Sequence, residues 1–316
     1  SDGIIKTGLS YFFIMQSLWL VSQLLVCLVL GFVFAKQLPA PLTKICFKVL
    51  PYFSYILLIA IAFEFSELLT ELPHPAQILN TSITIAFLTS IGAFGCCYLL
   101  FKWADFQPSS GRVSTELVIK SLINISYAFF ALAAGYLLHY SSTQMGLSVQ
   151  ISTWHLLLVF MFLIGLDLAY SPLDRSWLNW KILLVPAGCI AGSCVAAIAY
   201  SFWNPDIHLK DLIMLSQGYG FYSMSGVVVT ELRNAELGSI ALMNDLFREI
   251  FAILLMYCAG WRYPRSAISA AGATAMDVTL PMVKQACGND FIPHAMVSGF
   301  ILSVLAPVAV SVLAVI

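Results

Sequence analysis

Apolar runs about 20 residues long recur from one end of this chain to the other. A run of that length, wound as a helix, matches the hydrocarbon thickness of a bilayer. Helices satisfy their own backbone polar groups, as a spanning segment in lipid must. Of the 316 residues, 60% are hydrophobic and only 10% are charged. One soluble domain of this size has no use for so much apolar surface. The longest polar connection, near 102–115, leaves no room for a separate soluble domain. The expectation is an all-α polytopic membrane protein with the lipid bilayer as its first partner. The first apolar run has the length of a spanning helix rather than of a cleavable leader.

Composition also excludes partners. Net charge is −1 and no basic patch stands out, so nucleic acid is not expected. The eight cysteines lie in or beside apolar segments, without zinc or disulfide spacing, and read as small packing residues. The five histidines fall mostly in loops or at helix ends without metal spacing. No cofactor and no metal are expected. An assembly of identical chains is compatible with the sequence but not specified by it.

The runs predict spanning helices near 11–35, 46–70, 80–103, 117–139, 150–170, 181–203, 238–260 and 292–315. Two further segments, 211–231 and 266–287, are long enough to span but interrupted by glycines, serines, threonines and charges. Lys36, Lys44 and Lys48 mark the first loop, Lys102, Arg112 and Lys120 the third, and Arg175 and Lys181 the fifth. The second and fourth loops have no Lys or Arg, so the odd loops are cytoplasmic. Arg262 and Arg265 also fall inside if 211–231 is re-entrant. The favoured plan is eight spans, two re-entrant or broken segments and both termini periplasmic. The alternative is ten spans. Residues 1–205 would form a six-helix scaffold and 206–316 a transport unit.

An internal repeat runs through the scaffold. LVLGFVF around Gly31 resembles LAAGYLL around Gly135, and AIAFEF around Glu64 resembles LIGLDL around Asp167. The third and sixth helices end at Trp103 and Trp203. Units of three spans are necessarily inverted, a common plan of secondary transporters.

Asn244, Asp245, Arg248 and Glu249 lie in the middle of an otherwise apolar helix. Each charge at that depth costs roughly 2.5–3.5 kcal/mol on insertion scales, so such residues line a pathway or pair within a bundle. Spacings of three and four put them on one helix face. Acids exceed bases, which favours a functional role over a simple ion pair. A carboxylate held this way, Glu249 first and Asp245 beside it, can exchange a proton for a cationic substrate. The segment GYGFYSMSG offers glycines for close backbone approach, Ser223 and Ser225 as polar groups, and Tyr222 among aromatics that can cover a cation. The segment GATAMDVTLP places Asp277 beside Thr274 and Thr279, with Pro281 breaking the helix and freeing carbonyls for a cation. Glu64, Asp167, Glu67 and Glu71 read first as interfacial acids near helix ends.

FYSMSG, LGSIALMNDLFRE, GATAMDVTLP and IPHAMVSGFILS follow in this order between residues 218 and 304. With this set the chain resembles the LysO-type lysine exporters of prokaryotic inner membranes. The resemblance implies export of L-lysine and toxic lysine analogues, driven by proton entry, through intramembrane acids. It implies Glu249 as the coupling acid and Asp245, Asn244, Arg248 and Asp277 as companions. It also implies an acid in the second helix, for which Glu64 stands nearest.

Three rivals remain. A sodium-coupled carboxylate or bile-acid-like carrier shares the broken helices, since half-helix N-termini suit anions. The acid excess at 245–249 opposes it unless sodium binds first. An intramembrane aspartyl protease would use Asp167 and Asp277, but the paired-carboxylate spacing fits poorly, so no enzymatic activity is expected. A channel is the third.

Overall fold

The computed structural model describes residues 19, 22–24, 26–71, 75–104, 115–146, 153–170, 180–276 and 279–315. Twelve helices organise them: α1 (Ser22–Phe34), α2 (Ala40–Glu71), α3 (Pro75–Ala104), α4 (Thr115–Gln144), α5 (Thr153–Tyr170), α6 (Trp180–Ser201), α7 (Leu209–Ser216), α8 (Tyr222–Leu232), α9 (Ala235–Ala259), α10 (Pro264–Ala271), α11 (Leu280–Ala286) and α12 (Ile292–Val315). No strand occurs among the described residues. Ala76–Trp103, Trp180–Ser201 and Asn289–Val315 are long and apolar enough to cross a bilayer. In α2, Lys44–Leu50 and Tyr55–Phe63 meet at a 46° bend. Pro51 occupies that break, where a proline removes a helix hydrogen bond. The chain is a multi-pass, all-helical membrane protein.

Small residues set the helix crossings, as they do where lipid supplies no hydrophobic drive between helices. At the α3–α6 crossing, Gly92 and Gly192 pack so closely that a side chain on either would meet the other's backbone. Gly31 of α1 lies against Phe162 and Gly165 of α5, and Gly135 of α4 lies against Ile59 and Ala62 of α2. Trp154 donates to Gln23 at 3.0 Å and Tyr170 to the Ala35 carbonyl at 2.8 Å, tying α5 to α1. Thus α1, α2, α4 and α5 pack on one another. The α3–α6 pair packs instead with α9, α10 and α12. Ser269 of α10 donates to the carbonyls of Ala93 on α3 and Val185 on α6, each at 3.2 Å.

The two interrupted segments are hairpins. Asp211 in the first turn of α7 pairs with Arg233, just past α8, so the ends of the first segment meet. Cys287, just past α11, lies 3.9 Å from the Pro264 carbonyl at the start of α10, so the ends of the second meet too. Between these two bases runs α9, 25 residues long. At 1.5 Å per residue it separates them by about 37 Å. The hairpin tips meet near its middle, where the Ala273 amide donates to the Tyr219 carbonyl at 2.9 Å.

Candidate substrate and ion site

A broken helix leaves amides on one side of the break and carbonyls on the other. In the first hairpin the break spans Gln217–Phe221, between α7 and α8. Tyr219 and Gly220 there adopt φ of 52° and 88°. Left-handed geometry is unusual for a tyrosine and marks a strained, over-determined position. The residues that satisfy this break come from the middle of α9.

Asp245 is fully buried, and its Oδ1 accepts from the Gly220 amide at 3.0 Å. Its Oδ2 lies against the α-carbon of Gly218, in the volume any side chain there would need. Ser225 of α8 faces the same carboxylate. Asn244 donates to the Leu215 carbonyl at 2.9 Å and lies 3.4 Å from Asp245 Oδ1. Among the described residues, two acceptors at this point, Asn244 Oδ1 and Asp245 Oδ2, have no hydrogen-bond partner. Buried acceptors without donors are uncommon and need a reason.

Arg248 is also fully buried. Its guanidinium donates to Ser193 Oγ at 3.2 Å, to the Ser216 carbonyl at 3.4 Å and to Cys189 Sγ at 3.1 Å. It stands 5.8 Å from the Tyr219 ring centre, within cation–π range. The Tyr219 hydroxyl donates to Gln217, whose amide donates to Ser216 Oγ at 2.7 Å.

Glu249 is buried one turn further along α9 and lies within electrostatic reach of Tyr55 on α2. Asn244, Asp245 and Arg248 serve the break. Between the α1–α2–α4–α5 group and helices α8 and α9, Phe129 meets Phe247 at 5.9 Å and Phe160 meets Phe221 at 6.2 Å.

In the second hairpin Gly272 (φ 66°) lies under the Tyr219 carbonyl. Thr274 donates to the Ala271 carbonyl at 2.9 Å, and Thr279 to the Thr274 carbonyl at 3.0 Å. Both hydroxyl protons are thus used on their own hairpin. Ser223 and Ser225 are buried on α8, and Tyr222 is half-buried at its start. Asp277 lies outside the described residues. Glu64 lies in α2, and its side chain falls outside them too. No metal-binding group of His, Cys, Asp or Glu forms among the described residues. Sequence reasoning missed Cys189, Ser193 and Gln217. The first two sit in the apolar run of α6, and nothing local marks them.

Two broken segments that meet beside buried charges, within a bundle of apolar helices, are the arrangement of a membrane transport protein. The family model described as lysine exporter LysO matches residues 125–314, the stretch that contains both hairpins and α9. The chain belongs to the LysO lysine exporter family. It is 29% identical to lysine exporter LysO of Escherichia coli (strain K12) over 303 residues, 91% of this chain and 96% of that protein. It is 31% identical to a putative lysine exporter of Haemophilus influenzae over 158 residues, 49% of this chain and 80% of that protein. No solved structure matches.

Proposed function

We propose that the protein exports L-lysine and lysine analogues across the bacterial inner membrane in exchange for protons. The observation that carries this is the set of buried acids on α9 beside the meeting point of two hairpins. A carboxylate there binds a substrate ammonium or a proton, not both, and that exclusion is the simplest antiport coupling. Glu249 is the coupling acid and Asp245 its partner at the break. Deprotonated Glu249 receives lysine from the cytoplasm, and protonation from outside releases it. Asn244 Oδ1 and Asp245 Oδ2 supply further acceptors. Ser223, Ser225, Tyr222, Thr274, Thr279, Asp277 and Glu64 complete the candidate set.

The same reading holds for topology. Eight spans with two re-entrant hairpins are supported by the Asp211–Arg233 pair and the Pro264–Cys287 approach. Both termini are then periplasmic. An inverted repeat is supported by the crossings: exchanging the repeat units carries the Gly31–Gly165 contact onto Gly135–Ala62 and returns Gly92–Gly192 to itself. The unit 206–316 moves against the scaffold and carries α3 and α6 with it, because both pack on its helices.

Labelled lysine flux in proteoliposomes under an imposed pH gradient tests the function. Wild-type flux follows the gradient and ignores sodium, while Glu249→Gln loses at least tenfold. Immobile lysine would sink the substrate assignment and bring anion carriers forward. A normal Glu249→Gln would move the coupling acid to Asp245, Asp277 or Glu64.

A further inference from the structure

Arg248 carries a full charge to the centre of the protein, yet makes no ion pair among the described residues. A buried cation is costly unless compensated, and Asp245, three residues earlier, lies within electrostatic reach of it. Its direct contacts are at the carbonyl end of a broken helix. Its guanidinium reaches the Ser216 carbonyl, the last of α7, together with Ser193 and Cys189 of α6 and the face of Tyr219. Three residues earlier, Asp245 accepts from the Gly220 amide at the other side of the same break. One helix therefore offers a cation to the carbonyl end and an anion to the amide end, each matching the half-helix dipole it meets. In broken-helix carriers the carbonyl end is where a coupling metal cation is coordinated.

We infer that Arg248 is a resident cation, a positioning residue whose tethered charge occupies the place of a coupling metal ion at the α7 terminus and pins the first hairpin to α6. This rests on the exporter reading of the same site and deepens it. Its Nη1 and Nη2 groups are taken by protein acceptors while its Nε has no partner among the described residues, so it holds the break in shape while the substrate meets the acids. A charge that never leaves makes sodium dispensable throughout the cycle.

The test compares wild type, Arg248→Ala and Arg248→Lys, purified and reconstituted, in sodium and in choline buffers. Wild-type lysine flux and melting temperature are expected to be the same in both. Arg248→Ala should lose at least tenfold in flux and melt lower. Millimolar guanidinium should restore its flux several-fold and raise its melting temperature, and should do neither for Glu249→Gln. Arg248→Lys should keep an intermediate, sodium-independent flux. A sodium requirement in wild type overturns the inference. So does wild-type flux from Arg248→Ala, or a folded Arg248→Ala that guanidinium leaves unmoved. If Arg248→Ala is not recovered folded, Arg248→Lys decides: intermediate sodium-independent flux supports the tethered cation, and a sodium requirement overturns it. If wild type moves no lysine the exporter reading fails alone, and the melting response still decides for or against Arg248.

Discussion

Asp245 Oδ2 fills the space beside the α-carbon of Gly218. A methyl group there has nowhere to go, because the neighbouring atom is a buried carboxylate tied to the Gly220 amide. Gly218→Ala is therefore expected to destabilise the protein by about 1–3 kcal/mol through overpacking. It should also cut lysine flux at least tenfold while the chain still inserts. Wild-type flux and melting from purified Gly218→Ala would show that the break is looser than described. That these polar groups lie together and buried in the candidate site was legible in the sequence, because acids and an arginine spaced three and four apart in an apolar helix share one face. The division of labour within it was not. Helical spacing puts Asp245 and Glu249 on one side of α9, but of the two it is Asp245 that holds the amide of the break, while Glu249 lies within electrostatic reach of Tyr55. Local spacing reports a face, and tertiary packing decides what the face touches. The same holds for Ser193 and Cys189, which acquire a role only when α6 meets Arg248.

At the scale of elements, the glycines at 218, 220 and 272 announced two breaks, since only a residue without a side chain enters left-handed or crowded backbone cheaply. Re-entry is favoured in the sequence by the loop charges, with Arg262 and Arg265 inside, rather than by the glycines, and the approach of Asp211 to Arg233 and of Pro264 to Cys287 supports it. A topological prediction follows from the first pair. In a background without native cysteines, Asp211→Cys and Arg233→Cys should both react with an impermeant thiol reagent from the periplasmic side. A short bis-methanethiosulfonate linker, which leaves sulfinate as it forms each disulfide, should also join them. Labelling from opposite sides would favour ten spans instead. Trp103 and Trp203 are largely exposed at the ends of α3 and α6, where indoles anchor helices at the headgroup level.

At the scale of the molecule, two groups of helices share a seam lined by aromatic rings. Within each group, glycines bring backbones into contact. Across the seam, among the described residues, Phe129 meets Phe247 and Phe160 meets Phe221. Apolar rings slide more readily than interlocked backbones part, so the proposed movement of the transport unit is expected at the seam. Cysteines at 129 and 247, joined by a short linker, should arrest export and recover on reduction. Cysteines at 47 and 170, where Phe47 and Tyr170 meet at 5.2 Å within one group, should leave export intact when joined. Export that survives the first link would place the motion elsewhere.

The tip-to-tip bond between Ala273 and Tyr219 has an electrical consequence. Under the re-entrant plan this bond lies between the two faces of the membrane, and a charge exchanged across it moves through the membrane voltage, worth about 2.3 kcal/mol per 100 mV. One lysine leaving for each proton entering transfers no net charge and should be silent to voltage. Two protons per lysine would move one positive charge inward on each turnover, and an inside-negative potential would speed the cycle. Flux measured against potassium diffusion potentials therefore counts the protons.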